Sequence, residues 1–400
     1  MSDGTRRDRA TIVGLILVAQ TVANVGPLGI PAVASLIREE LGLTLAQAGS
    51  FLSAYYVGPA LMSLPAGTMA DRWGIKRTLV LGQAVIALGL LAVSASASFA
   101  TLTALLIVAG FGYGMLNPTS TKAVMAWAPP AHRATLVGFK QVGLPFGGAL
   151  GAALLPVLAV VAGWRWAVVA SAALVGAGAV ASLAIYRDPP GVPPRVERGP
   201  RSAVMTVLLT RDLWLVAAAT GVFAAMQTVW MAFLVLYLQE IVGLSLLAAS
   251  RYLALAQLGG MLGRVAFGLL SDRALAGRRK APLALAGLGS ATASIAIAWT
   301  GSGTSAAWLT LLAFGFGFVG IGWNGVQHTL MAELAGPRSA GTAVGLGLAV
   351  SSAGVTLGPP AFGWVVTRAG GYAGAWIGLA ASMLGALGVL AFVREGRRSA

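Results

Sequence analysis

The sequence predicts an all-α polytopic membrane protein whose twelve transmembrane helices form two pseudo-symmetric six-helix bundles. Three observations carry this. Of 400 residues, 57% are hydrophobic and only 10% charged, against about 25% charged in an ordinary soluble domain. The apolar residues gather in runs of roughly 20 or more, enough to cross a hydrocarbon core of about 30 Å. A polar segment rich in proline and arginine, RDPPGVPPRVERGPRSA at 187–203, divides those runs midway along the chain.

Inside lipid only helices and closed barrels satisfy their own backbone hydrogen bonds, and the alternating ten-residue strands of a barrel are absent. The runs place spans at 11–36, 45–69, 77–98, 101–126, 135–160 and 164–186 in the first half, and at 211–239, 246–271, 281–301, 305–331, 339–367 and 371–393 in the second. The first run is longer than a signal-peptide core and continues through Pro27 and Pro31 without a cleavage signal, so it reads as a retained span. The prolines and arginines of the central segment can neither continue a helix nor bury in lipid. The expected organisation is therefore a bundle at 1–186, a cytoplasmic linker at 187–210 and a bundle at 211–400.

The net charge of +15 raises the question of a nucleic-acid partner, and the positions of the basic residues answer against it. With the N-terminus in the cytoplasm, 21 of the 27 Lys and Arg fall on the cytoplasmic side, including five around the loop between spans eight and nine. Four fall on the other side (Arg38, Arg165, Arg251, Arg368), and Lys122 and Lys140 lie within spans. This is the positive-inside pattern of a protein of the cytoplasmic membrane with both termini cytoplasmic, with contact to anionic lipid headgroups as a by-product. No cysteine occurs, so disulfides and thiolate metal sites are excluded.

The two halves echo one another. Asn117 and Asn324 are 207 positions apart, each after a glycine- and phenylalanine-rich run in the fourth span of its half, and Thr135, Gly138 and Gly151 map by the same offset onto Thr342, Gly345 and Gly358. A second echo, 201 positions apart, relates GTMADR at Gly67 to GLLSDR at Gly268.

The loop after span two reads GTMADRWGIKR and concentrates charge in a chain that has little. Gly67 has no side chain, so another helix can approach the end of span two closely. Asp71 lies at the level where odd-numbered helices begin, and a helix N-terminus favours a neighbouring carboxylate by about 0.3–2 kcal/mol. Gly74 permits a tight turn, while Arg72, Lys76 and Arg77 hold the loop inside, a task that needs no acid. Twelve spans, the six-plus-six division and GxxxDRxGxKR together resemble the major facilitator superfamily of secondary transporters. Gly67, Asp71, Arg72, Gly74, Lys76 and Arg77 stand where that family has its loop 2–3 signature, and the second copy keeps Gly268, Asp272 and Arg273 before departing from it. The resemblance implies a monomeric carrier without cofactor or metal, whose loop meets span eleven of the opposite half when the cytoplasmic side is closed.

Carriers of this kind hold substrate near the midplane, where each polar side chain is costly and points to function. The candidates are Gln20 and Asn24 on span one, Tyr55 and Tyr56 on span two, Asn117 on span four, Lys140 and Gln141 on span five, Gln227 and Trp230 on span seven, and Asn324, Gln327 and His328 on span ten. Interhelical hydrogen bonding is the alternative role for each amide, and packing for the aromatic residues, Tyr237 included. Lys140 stands about six residues into span five, roughly 9 Å from the cytoplasmic boundary at 1.5 Å per residue; it either snorkels to that boundary or faces a cavity. Lys122 is closer to a plain anchor. All twelve acids sit in tails, loops or span ends, among them Glu39, Glu40, Glu240 and Glu333. In-span cations without in-span acids favour a small anionic solute, and His328 is the group that could carry a coupling proton.

The run KQVGLPFGG is similar to a segment of the cyanate and nitroimidazole permease-like branch and its organic-anion relatives, whereas the arginine that nitrate porters use in span two is missing. Gly143, Pro145, Gly147 and Gly148 approximate the antiporter signature GPxxGG without its adjacent Gly-Pro. The expected activity is transport of an organic anion by alternating access, the alternative within carriers being proton-coupled efflux of a hydrophobic compound. A channel or sensor is the alternative of another class. No HExxH, no GxxxxGK[ST] and no cysteine nucleophile speak for an enzyme.

Overall fold

A computed structural model describes residues 3–128, 133–187, 205, 207–275, 277–336, 339–368 and 370–395; the side chains of 3–7, 63, 64, 67, 68, 71, 133–135 and 341 lie outside the description. All regular structure among the described residues is helical. Eleven helices there are long and apolar enough to cross a membrane, and the second span contributes the shorter apolar stretch Phe51–Met62 within the helix Phe51–Trp73.

Span one begins earlier than its apolar run, at Asp3, and Asp3–Gly29 continues through a 3-10 turn, Ile30–Val33, into Ala34–Leu41. Pro31 stands in the first positions of that turn, where its missing N–H is tolerated and the chain tightens instead of stopping. The next spans are Ile75–Ser94, Phe99–Trp127, Arg133–Ala162 and Trp164–Ile185. The second half comprises Arg211–Glu240, Leu246–Leu269, Lys280–Ala298, Ala306–Phe316 with Asn324–Ala335, Ala340–Arg368 and Tyr372–Ala391.

Two departures from the sequence reading have local causes. Span ten is not one helix: a π-turn at Gly317–Ile321 interrupts it before Asn324. A Cβ at Gly317 would strike the backbone of Ala256, and one at Gly322 the backbone of Gly263, so span eight presses on this glycine-rich stretch and the helix widens there. The second departure is from the tally of basic residues alone: Arg264, counted among the five around the loop between spans eight and nine, lies half-buried inside the helix Leu246–Leu269, within the expected span 246–271.

The chain separates into two compact units, Met1–Val196 and Glu197–Ala400. In the first, span one packs on span five, span two on span four, and span three on spans four and six. The second repeats these pairings as seven on eleven, eight on ten and nine on twelve. Small residues make the central pairing close. On span five, Gly147 faces the Thr21 carbonyl and Gly151 that of Val25; 207 positions later, Gly354 faces Gly221 and Gly358 faces Ala225 on span seven. A side chain at any of these would meet backbone or Cβ atoms, so the sequence repeat reappears as a repeated helix contact.

Candidate functional site

Each unit holds a polar cluster where its first, fourth and fifth helices meet, in a chain whose spans otherwise carry few polar groups. In the first unit the centre is Lys140. Its side chain is fully buried and does not snorkel. The ammonium donates to the Asn117 amide oxygen at 2.8 Å, the Asn117 main-chain carbonyl at 3.0 Å and the Thr121 hydroxyl at 2.9 Å. The Thr121 hydroxyl itself donates to the Asn117 carbonyl at 2.9 Å, as does Ser120. One turn away, Gln20 donates to the Tyr113 hydroxyl at 3.1 Å and accepts from Ser120 at 3.4 Å. Asn24 donates to the Gln20 carbonyl, while its amide oxygen is buried and meets no partner.

Tyr55, Tyr56 and Tyr113 form a ring cluster beside Gln20, with Tyr55 and Tyr113 centroids 5.8 Å apart, and the buried Tyr55 hydroxyl has no partner. Gln141 and Lys122 are half-buried.

The second unit uses equivalent positions. Gln227, 207 residues after Gln20, accepts from Trp323 at 3.1 Å and from Asn324, the counterpart of Asn117, at 3.3 Å. Gln327 is buried on the next turn with an unmet amide N–H, and His328 is half-buried beside it. Trp230 stands apart from this group. It stacks on Phe316 at 3.9 Å and 6°, packs on Trp376 and donates to Ser294 at 2.9 Å, which makes it core. Tyr237 likewise donates into the end of span nine, to Ile297 and Thr300.

Of the loop motif, the surroundings of Gly67 and the side chain of Asp71 lie outside the description. Gly74 makes the turn at φ +89° and accepts from Thr78; Arg72 and Arg77 are exposed and Lys76 is half-buried. In the second copy Gly268 leads into a π-turn, Leu270–Ala274, which carries Asp272 and Arg273. Arg279 collects this end of the unit: its guanidinium donates to Asp272, to Ser271 at 2.8 Å and to Glu333 at 3.3 Å, and its main-chain N–H donates to Glu395. Burial alone would lower its pKa, but the bonds and charges of Asp272 and Glu333 outweigh burial and raise it. The cation is fixed.

Sequence reasoning missed Thr121 and Ser120, whose residue types are common, and the meeting of Arg279 with Glu333 and Glu395, which lie far apart in the chain. It also missed Gln257, buried on span eight with both amide atoms unpartnered. Among the described residues no group of three or more His, Cys, Asp or Glu could hold a metal ion.

Comparison with known proteins addresses the family and the fold. The family model described as Major Facilitator Superfamily matches residues 15–359. A probable sulfoacetate transporter of Cupriavidus necator is 28% identical over 391 residues, covering 92% of this chain and 89% of its own. A D-galactonate transporter of Escherichia coli is 25% identical over 430 residues, covering 98% and 97%. Among solved structures, a bacterial homolog of the human lysosomal transporter Spinster shares the fold, with a TM-score of 0.77 at 22% identity over 98% of this chain and 96% of the other. The chain belongs to the Major Facilitator Superfamily and is a multi-pass membrane transporter, not an enzyme.

Proposed function

We propose that this protein carries a small organic anion across the cytoplasmic membrane by alternating access, with both termini in the cytoplasm. One observation carries the reading. Lys140 is a fully buried lysine whose partners, Asn117 and Thr121, are neutral, and no Asp or Glu occurs between Arg72 and Arg187 to balance its charge. A charge taken out of water costs several kcal/mol unless an opposite charge meets it. An anionic solute supplies that charge, and relatives that cover nearly the whole chain are named for sulfoacetate and D-galactonate.

The test is binding to purified protein. Lys140→Met keeps the aliphatic stem and removes the charge, and is expected to abolish thermal stabilisation by sulfoacetate and D-galactonate while the unfolding transition stays cooperative. Equal stabilisation of the parent and the variant refutes the assignment. Counterflow in proteoliposomes separates a carrier, which shows trans-stimulation, from a channel, which does not. The loop after span two is proposed as a latch: Asp71→Asn slows transport in a folded, inserted protein, and unchanged kinetics refute that role.

A further inference from the structure

We propose that Gln257, midway along span eight, reads a hydroxyl group of the transported solute, so that the substrate is a hydroxylated organic anion; this rests on the reading of the protein as an organic-anion carrier. The Gln257 side chain is fully buried, and neither its amide oxygen nor its amide nitrogen meets a hydrogen-bond partner. Among the described residues no other buried amide lacks both. Gln257 stands in the middle of the helix Leu246–Leu269, roughly 17 Å from either end at 1.5 Å per residue. Its amide is therefore too far from either boundary to snorkel to water.

Close packing fixes the level of this residue within its unit. Span eight packs on spans seven and ten. A Cβ at Gly317 would strike the main chain of Ala256, and one at Gly260 would strike the side chain of Ile321. Gln257 thus lies level with the π-turn Gly317–Ile321, just before Asn324.

An amide that holds helices together shows its bonds. Gln83, equally buried, exchanges hydrogen bonds with Ser182 at 2.9 and 3.3 Å and ties span three to span six. Gln257 ties nothing. Nor does the repeated frame call for a polar group at this place. By the 201-residue offset Tyr55 and Tyr56 answer to Ala256 and Gln257, and by the 207-residue offset Tyr113 answers to Gly320. The first unit packs three rings where the second has an alanine, an amide and a glycine. The Phe316 ring lies against Gly320 and takes part of the difference, but it offers the amide no bond. A buried amide left unpaired destabilises the protein, and a bound group that pairs it removes that cost.

The two ends of a carboxamide define what pairs with it. The nitrogen needs an acceptor and the oxygen needs a donor, and turning the amide over presents the same pair. A carboxylate or sulfonate only accepts, and would bring an anionic oxygen against Oε1. An alcohol both donates and accepts, and it is the smallest group that does, which suits a side chain with no exposed surface. The solute that satisfies Gln257 carries at least one hydroxyl besides its acid group.

The experiment uses the full-length protein with D-galactonate, which has hydroxyls, and sulfoacetate, which has none. Gln257→Met keeps the length of the side chain and removes the amide, and Gln257→Leu removes it with a different shape. Both are expected to weaken D-galactonate about ten-fold or more, each ten-fold being ~1.4 kcal/mol, and to leave sulfoacetate at its parental affinity. The unfolding midpoint of the solute-free protein should rise, because an unpaired amide has gone. A purely structural amide gives the opposite pattern, a lower midpoint and equal weakening of both anions, and that result overturns the proposal. So does parental affinity for both anions, as a trapped water at Gln257 would give, or a parent that does not bind D-galactonate. Lys140→Met, measured alongside, is expected to lose both anions. If it binds both as the parent does, the anion site falls, while a loss of D-galactonate confined to the Gln257 variants still stands.

Discussion

Asn117→Asp turns the neutral partner of Lys140 into a permanent counter-ion without changing its shape. The amide oxygen already lies 2.8 Å from the ammonium, and at an effective dielectric of ~20 a full charge there attracts it by about 6 kcal/mol. Burying the new carboxylate returns several kcal/mol of that gain, so the folded protein should be unchanged or stabilised by about 1–3 kcal/mol. The anion loses the same attraction and meets a like charge. Its affinity should fall by at least about 100-fold, equivalent to ~2.7 kcal/mol. Titration calorimetry with sulfoacetate and D-galactonate measures the loss, and thermal unfolding of the same sample shows that the fold is intact. Thr121→Val should move affinity the other way: it removes an acceptor of nearly equal volume, frees one N–H for the anion and costs about 1 kcal/mol of stability. An Asn117→Asp protein that unfolds at or above the parental temperature and still binds with parental affinity would refute the claim that the unbalanced charge of Lys140 attracts the substrate.

Other expectations follow from the packing. Gly147→Val drives a side chain into the Thr21 carbonyl, and should cost about 1–3 kcal/mol as overpacking, read as a lower unfolding midpoint together with weaker anion binding. Arg279→Gln removes a guanidinium that is 11% exposed from Asp272 and Glu333, which are 62% and 28% exposed. Solvent screening holds the loss to about 1–2 kcal/mol, and the salt dependence of the unfolding midpoint should shrink with it. Trp230→Phe gives up the bond to Ser294 at a cost of about 1 kcal/mol, and anion affinity should not move. A large affinity loss there would place Trp230 at the substrate.

Span positions, the halves and the candidate amides were legible because each is a rare event in this chain. An Asn or Gln within an apolar run stands out, and charge is scarce enough for its placement to set topology. The direction of a side chain was not legible. Lys140 was expected either to snorkel to the boundary or to face a cavity; its turn toward a neighbouring helix depends on Asn117 and Thr121 on span four, 23 and 19 residues away. Trp230 had the composition of a site residue but the neighbours of a core residue. The break in span ten was hidden because GFGFVGIGWNG is apolar enough for an unbroken helix, and the pressure that widens it comes from span eight.

The repeat also explains why the charge sits in one unit. By the 207-residue offset Gln20 answers to Gln227, Asn117 to Asn324, Thr121 to His328 and Lys140 to Gly347. Neutral amides stand at these positions in both units, but their bonds differ: Gln20 accepts from Ser120, whereas Gln227 accepts from Asn324 itself. The cation is not repeated. A Cβ at Gly347 would press on Nε2 of Gln327, the end of a flexible side chain, so a longer residue there requires that amide to turn away. Gln327 itself has an N–H buried without a partner, a deficit of about 1–3 kcal/mol that an acceptor oxygen would remove. The duplicated frame thus repeats the neutral amides, and the two units differ where the first buries Lys140 and the second has Gly347.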